Sequence, residues 1–322
     1  MSRSRAPRVK SSRPSTRTWA ALGIVYLVWG STYLAIRIAI ETLPPFLMAA
    51  TRFLVAGSVL FVFSTMRRRG RAQDPIGPAQ WRAAAIVGAA LLLGGNGGVV
   101  WAERRIASGV AALLVAMLPL WMAILDRVCF GRRLSRRGML GVALGFCGLV
   151  LLVGRVDRGG VDPVGALVCM LASFSWAAGS VYARTAPLPH RPLVATAMEM
   201  LAGGSLLAVV GVAAGELGRV QLDAFSIRSV LALAYLIVFG SLLAFSAYIW
   251  LLHSAPLPLV ATYAYVNPVV AVMLGWALLD EPITPQMMLA GAIIVIAVAL
   301  IAGAAPPPVE EDEPAARRAA AG

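Results

Sequence analysis

Ten apolar runs separated by short polar stretches set the elements of this chain. They lie at about 19–36, 46–65, 82–100, 106–125, 139–153, 163–182, 193–214, 227–252, 257–279 and 285–304. Each is close to the roughly 20 residues that carry an α-helix across a ~30 Å hydrocarbon core. The eighth is long and predicts a tilted or bent span. Residues 1–18, basic and punctuated by proline, read as a disordered cytoplasmic tail. A signal peptide is the competing reading, but no small-residue cleavage site follows the first run and nine more runs come after it. Residues 305–322, proline-rich and charged, read as a second disordered tail. The predicted fold class is an all-α membrane protein with ten transmembrane helices.

The pattern repeats. Trp29, Arg37, Pro45, Arg52 and Gly57 return as Trp176, Arg184, Pro192, Glu199 and Gly204, every pair separated by 147 positions. Further on, Trp101 and Pro119 return as Trp250 and Pro268 at an offset of 149, so about two residues were gained between the blocks. The chain therefore reads as two five-span repeats, 19–154 and 161–304. An odd number of spans makes the second copy enter from the opposite face, which gives two inverted five-helix repeats about an axis in the membrane plane. In secondary transporters of that architecture the substrate site lies near the midplane, between the repeats.

Composition agrees. Of the 322 residues, 59% are hydrophobic and 13% charged, against about a quarter charged in soluble domains. The net charge of +13 does not signal nucleic acid, because the basic residues lie between apolar runs. With the N-terminus placed inside, 20 of the 28 Lys and Arg fall on the cytoplasmic side and seven on the other, with Arg52 within a span. That bias predicts both ends in the cytoplasm. The three cysteines, Cys129, Cys147 and Cys169, lie in or beside apolar runs without CxxC spacing and read as buried thiols.

Several polar side chains occur where lipid would not tolerate them. Trp29, Tyr33 and Arg37 are spaced four apart and share a face of the first span, with Ser31 and Thr32 beside them; Trp176, Ser180 and Arg184 repeat that spacing in the sixth. The aromatics either line a cavity for an organic solute or pack between helices, whereas Arg37 and Arg184 read as interfacial anchors. Arg52 and Glu199 each stand seven residues beyond a proline, roughly 10 Å deep at 1.5 Å per residue. An ionised group at that depth costs a few kcal/mol at least and faces an interior, a partner or a wet pathway. The duplication puts the two on facing helices, one above the midplane and one below. Glu199 is the better proton-carrier candidate, and a purely structural bond is the alternative for both.

In the third span, Gly94, Gly95, Gly97 and Gly98 surround Asn96. The glycines read as close helix packing and Asn96 as cavity lining. Glu103, just past the end of that span, reads as interfacial. Pro119 and Pro268 each remove a helical hydrogen bond at matched positions of spans four and nine; they fit gating kinks and, equally, static bends. Tyr263 and Asn267, four apart in span nine, are pore-facing candidates.

The sequence holds no Walker A motif, no HExxH or Cys/His cluster, and no GxSxG motif. It gives no support for an ATPase, a metal site or a hydrolase, and no cofactor is expected. The run from Tyr26 to Gly57, the duplicated unit, Pro119 and Pro268, and the segment LLDEPITPQMMLAG resemble the EamA-type drug/metabolite transporters, and within them the YedA-like inner-membrane permeases. The resemblance spans about residues 19–304. It implies ten helices, cytoplasmic termini, a central cavity and export of amino acids, metabolites or toxic organic solutes. Family members usually carry an acidic residue ahead of the fifth and tenth helices. Glu281 supplies the second, and Arg132 stands at the first. Single-repeat relatives use a glutamate in their first helix, and none lies in the first span here.

The expected function is solute export across a bacterial inner membrane by alternating access, driven by proton or solute gradients, and no enzymatic activity. The substrate would meet Trp29, Thr32, Tyr33, Arg52, Asn96, Trp176, Glu199, Tyr263 and Asn267. A flippase, or an accessory subunit of one, for a lipid-linked intermediate is the alternative. Expected partners are a small-molecule substrate and the lipid bilayer, with a homodimer left open and no nucleic acid.

Overall fold

A computed structural model describes residues 15–66, 76–131, 135–154, 161–255, 257–260 and 262–303. Most of the N-terminal tail, the C-terminal tail and Arg132 lie outside these. Among the described residues, nine helices are long and apolar enough to cross a membrane, and one shorter apolar helix accompanies them. They are α1 (Thr16–Ala39), α2 (Pro45–Met66), α3 (Pro78–Ala102), α4 (Ser108–Phe130) and α5 (Arg136–Val153) in the first repeat. The second holds α6 (Pro163–Ala183), α7 (Pro192–Ala213), α8 (Ile227–Leu251), α9 (Tyr263–Leu279, the shorter one) and α10 (Pro285–Ala302).

Local chemistry sets the helix starts. The side chains of Ser15, Ser135, Asp162, Ser226 and Thr284 each accept from a backbone N–H of the first turn, satisfying donors that a helix N-terminus leaves open. Prolines follow at the first turn of α6, α7 and α10, where no N–H is needed. Because Ser15 caps it, α1 begins at Thr16, three residues ahead of the expected start.

The packing displays the duplication directly. The two most extensive helix pairings are α2 with α7 and α5 with α10, each between a helix and its own copy. A methyl added at Gly57 would stand 3.1 Å from the amide of Leu201, and one at Gly204 would stand 3.1 Å from the amide of Leu54. The 147-residue offset exchanges those two contacts. In α5 and α10, Gly141 meets Ala297 and Gly148 meets Ala290, exchanged by the offset of 149. In both pairs residue numbers rise along one helix as they fall along the other, so each helix runs antiparallel to its copy. The repeats are inverted.

Two expectations change, and one local feature is added. Cys169 is buried, but Cys129 and Cys147 are exposed on the outer surface of the bundle, since an apolar run in a membrane helix has a face turned to lipid. The matched prolines do not act alike. α4 breaks at Ala116 and Met117, so Pro119 sits in the first turn of a new helical stretch, Leu118–Phe130. Helix α9 continues through Pro268. The glycine-rich part of α3 is a π-helix, Ala89–Gly97, and α8 carries another, Leu236–Leu243, at the position equivalent by the 147-residue offset. Such wide turns are rare and concentrate at functional sites.

Two carboxylates of the second repeat hold helix ends of the first. Glu216, buried, accepts from the backbone N–H groups of Phe46 (3.2 Å) and Leu47 (2.9 Å) at the start of α2. Glu281 accepts from Ser108 N (2.8 Å), Ser108 Oγ (2.9 Å) and Gly109 N (3.2 Å) at the start of α4. The acid ahead of the tenth helix is thus a cap for the fourth, placing negative charge where the helix dipole favours it.

Candidate functional site

The side chains from both repeats meet in the interior at three connected places. The first is aromatic. Trp29 of α1 packs against Phe245 (centroids 5.3 Å apart), Tyr248 (5.0 Å) and Tyr263 (5.3 Å), in the tilted and edge-on arrangements that ring quadrupoles favour. Its indole Nε1 donates to the carbonyl of Gly240 at 3.3 Å, inside the π-helix of α8. Asn267 is buried at the α1–α9 crossing. With its amide nitrogen toward them, it donates to the carbonyls of Tyr26 and Tyr263, 3.2 Å each. That places Asn267 as a tie between helices, with its amide spent, in contrast to the pore-facing role read from spacing.

The second place surrounds Arg52. Its side chain is almost wholly buried, and Nε donates to Ser241 Oγ at 2.9 Å. The guanidinium also lies 4.8 Å from the Phe53 ring centroid, a cation–π distance. A methyl at Gly240 would meet Thr32 Cγ2 at 3.2 Å and Arg52 Nη2 at 3.3 Å. Gly240 therefore lets α1, α2 and α8 converge, with Thr32 bonding its hydroxyl back to the carbonyl of Trp29 at 2.6 Å. Glu199, the copy of Arg52, is partly buried on α7. It forms neither an ion pair nor a side-chain hydrogen bond among the described residues, where the ion pairs are Arg105–Asp162, Arg184–Asp126 and Arg228–Glu41. The repeat supplies a reason: the positions 147 and 149 residues before Ser241, which serves Arg52, are Gly94 and Leu92, and neither has a hydroxyl to offer Glu199.

The third place was missed in the sequence. Glu103, at the end of α3, is fully buried, and both carboxylate oxygens lack a hydrogen-bond partner among the described residues. The interfacial reading is overturned. The connection after α3 turns inward, so that Arg37 of α1 donates from Nη1 to the backbone carbonyl of Glu103. Arg37 is thereby more than an interfacial anchor. Arg52, Glu281, Tyr33 and Cys169 all lie within electrostatic reach of the carboxyl. Burial pushes that carboxyl well above the usual carboxylate range and Glu281 adds to the shift, against the pull of Arg37 and Arg52. No spacing in the sequence pointed to it: Arg37 and Glu103 stand 66 positions apart, and only the fold joins them.

Tyr33, one turn from Trp29, packs against the core that includes Val99, Cys169 and Ala172, and so links the aromatic place to Glu103. Trp176 of α6 lies across Gly95 of α3, where a methyl would stand 2.9 Å from the indole. Asn96, in the π-helix, keeps Oδ1 buried and unpartnered, as does Ser173 its Oγ. Arg184 pairs with Asp126 at 2.7 Å, in keeping with an interfacial anchor.

Comparison with known proteins agrees with this geometry. The model of the EamA-like transporter family matches residues 17–154 and again 163–303. The chain is 40% identical over 274 residues to the uncharacterized inner membrane transporter YedA of Escherichia coli K12, covering 84% of this chain and 86% of that protein. It is 25% identical over 260 residues to protein PecM of Dickeya dadantii, covering 80% and 82%. One solved crystal structure, 22% identical, superposes with a TM-score of 0.58 over 90% of this chain and 96% of its own, a likeness of fold. Two consecutive family matches, one on each five-helix repeat, place this membrane protein in the EamA-like transporter family.

Proposed function

We propose that this protein is a secondary transporter that exports small organic solutes across a bacterial inner membrane by alternating access, with both termini in the cytoplasm. One observation carries the reading. Each repeat has a π-helix at the same place in its third helix, and the one in α8 is gripped through Gly240 and Ser241 by Trp29, Thr32 and Arg52 of the other repeat. A wide turn has backbone geometry that is easily reset, so a solute touching Trp29 and Arg52 can bias how the repeats rock.

In this reading Trp29, Tyr33, Tyr263 and Trp176 supply apolar and aromatic surface for the solute. Arg52 supplies positive charge in a low-dielectric interior, and Asn96 an acceptor. Thr32 shapes the wall through its methyl group, and Glu199 is a proton carrier. The test is flux of labelled amino acids into proteoliposomes, with and without a pH gradient. Wild-type protein is expected to transport, while Arg52→Ala and Glu199→Gln abolish transport and leave folded protein in the membrane. Wild-type flux from both variants would overturn the site. Activity confined to a lipid-linked substrate would overturn the solute reading in favour of a flippase.

A further inference from the structure

Glu103 has a geometry that neither packing nor capping explains. A carboxylate is acceptor-only and needs donors around it; leaving it ionised, buried and unpaired is strongly unfavourable. Two cations are near, yet both are engaged elsewhere. Arg37 is held on the backbone carbonyl of Glu103 and Arg52 on Ser241, and neither forms an ion pair with the carboxyl. The nearby acid, Glu281, is fully occupied by the start of α4. The arrangement is one in which the neutral acid is tolerated and the anion is not, with two guanidinium groups held in reserve.

We propose that Glu103 is a proton-operated latch on this end of the bundle: it is closed over as the neutral acid, and loss of its proton to the adjoining water opens the connection between α3 and α4 and lets Arg37 and Arg52 take up the carboxylate. The titratable and charged groups that face it are Tyr33 and Arg37 from α1, Arg52 from α2, Cys169 from α6, and Glu281 from the connection before α10. Transfer of Arg52 from Ser241 to Glu103 would release the π-helix of α8, which couples the latch to the solute site. The closed form holds one more proton than the open one, so rising pH favours opening. The latch rests on the transporter reading only for that coupling.

The test uses purified full-length protein and needs no substrate. Infrared difference spectra taken across a pH titration should show the C=O band of a protonated carboxylic acid in the wild type and in Glu199→Gln, and its loss in Glu103→Gln. Deuterium exchange of backbone amides in residues 99–108 is then compared between wild type and Glu103→Gln at each pH, which cancels the intrinsic pH dependence of exchange. The ratio is expected to start near one in acid and to rise by up to about tenfold per pH unit once Glu103 titrates. An unchanged carboxylic-acid band in Glu103→Gln, or a ratio that stays at one, would overturn the latch. So would a Glu103→Gln protein that fails to fold while Glu103→Asp folds, because a neutral isostere must fit a site built for the neutral acid. If the spectra behave as expected and no solute is carried, the transporter reading fails and the latch stands.

Discussion

The third helix of each repeat began as the same segment, and the two now do different work. Both α3 and α8 widen into a π-helix at equivalent residues, 89–97 and 236–243. The sequences there are AALLLGGNG and LIVFGSLL, so glycine content does not produce the wide turn; it survives in a stretch that is nearly all large and apolar. What differs is what each helix presents. α3 offers bare backbone: Gly88 sits on the carbonyl of Glu199, Gly95 under Trp176, and Gly98 on Ala172. α8 offers atoms to bond, the Gly240 carbonyl to Trp29 and the Ser241 hydroxyl to Arg52. Each copy lends one carbonyl to the other repeat, Ala90 to Ser175 Oγ at 2.8 Å and Gly240 to Trp29, but only α8 adds a bonded side chain, Ser241. The buried charges follow, with Arg52 partnered and Glu199 left without a hydroxyl.

The largest effect should come from disturbing α3. In Gly88→Ala the new methyl would stand 2.6 Å from the carbonyl of Glu199 and 2.9 Å from the amide of Gly203. Backbone cannot step aside as a side chain does, so about 3 kcal/mol should be lost, read as a lower unfolding midpoint in detergent. Gly240→Ala meets only side-chain atoms, at 3.2 and 3.3 Å, and should cost about 1 kcal/mol or less. Equal losses from the two would erase the distinction between the copies.

Next comes the contact that α8 makes. Arg52→Ala should abolish flux, since it removes the buried charge and its charge-assisted hydrogen bond, while Ser241→Ala should lower it about tenfold by leaving Nε unpaired. Transport rates in proteoliposomes measure both. If Ser241→Ala were silent, the contact would be incidental.

A smaller effect tests how the second repeat clamps the first. Glu281→Gln keeps the shape and weakens three hydrogen bonds at the start of α4, for a loss of about 1–2 kcal/mol of stability. Glu216→Gln should do the same at α2. The two losses should add, because the sites share no partners. The smallest effect is Trp29→Phe, which keeps ring packing and removes only the bond to Gly240, about 1 kcal/mol; it should change flux by no more than about threefold, measured as initial rates.

How much was legible beforehand can be judged residue by residue. Apolar runs of spanning length are a local property, so the ten helices could be read directly, as could the duplication, because a fixed offset survives in the chain itself. Arg52 stood out because a cation in an apolar run is costly wherever the run folds. Glu103 did not, since a carboxylate two residues past Trp101 looks like any polar residue entering a loop. Its burial exists only because Arg37 and Glu281, 66 and 178 positions away, close around it in space.

The sequence by itself determined the number of crossings, the two copies and their opposed insertion, because hydropathy and repeat spacing act along the chain. Only the tertiary structure decided which way the connection after α3 turns, that Glu281 and Glu216 cap helices of the other repeat, that Pro119 breaks its helix while Pro268 does not, and that Cys129 and Cys147 face outward. Those are decided by which surfaces meet. In a chain whose helices are apolar on nearly every side, the pattern of apolar residues cannot tell a face turned to lipid from one turned to another helix.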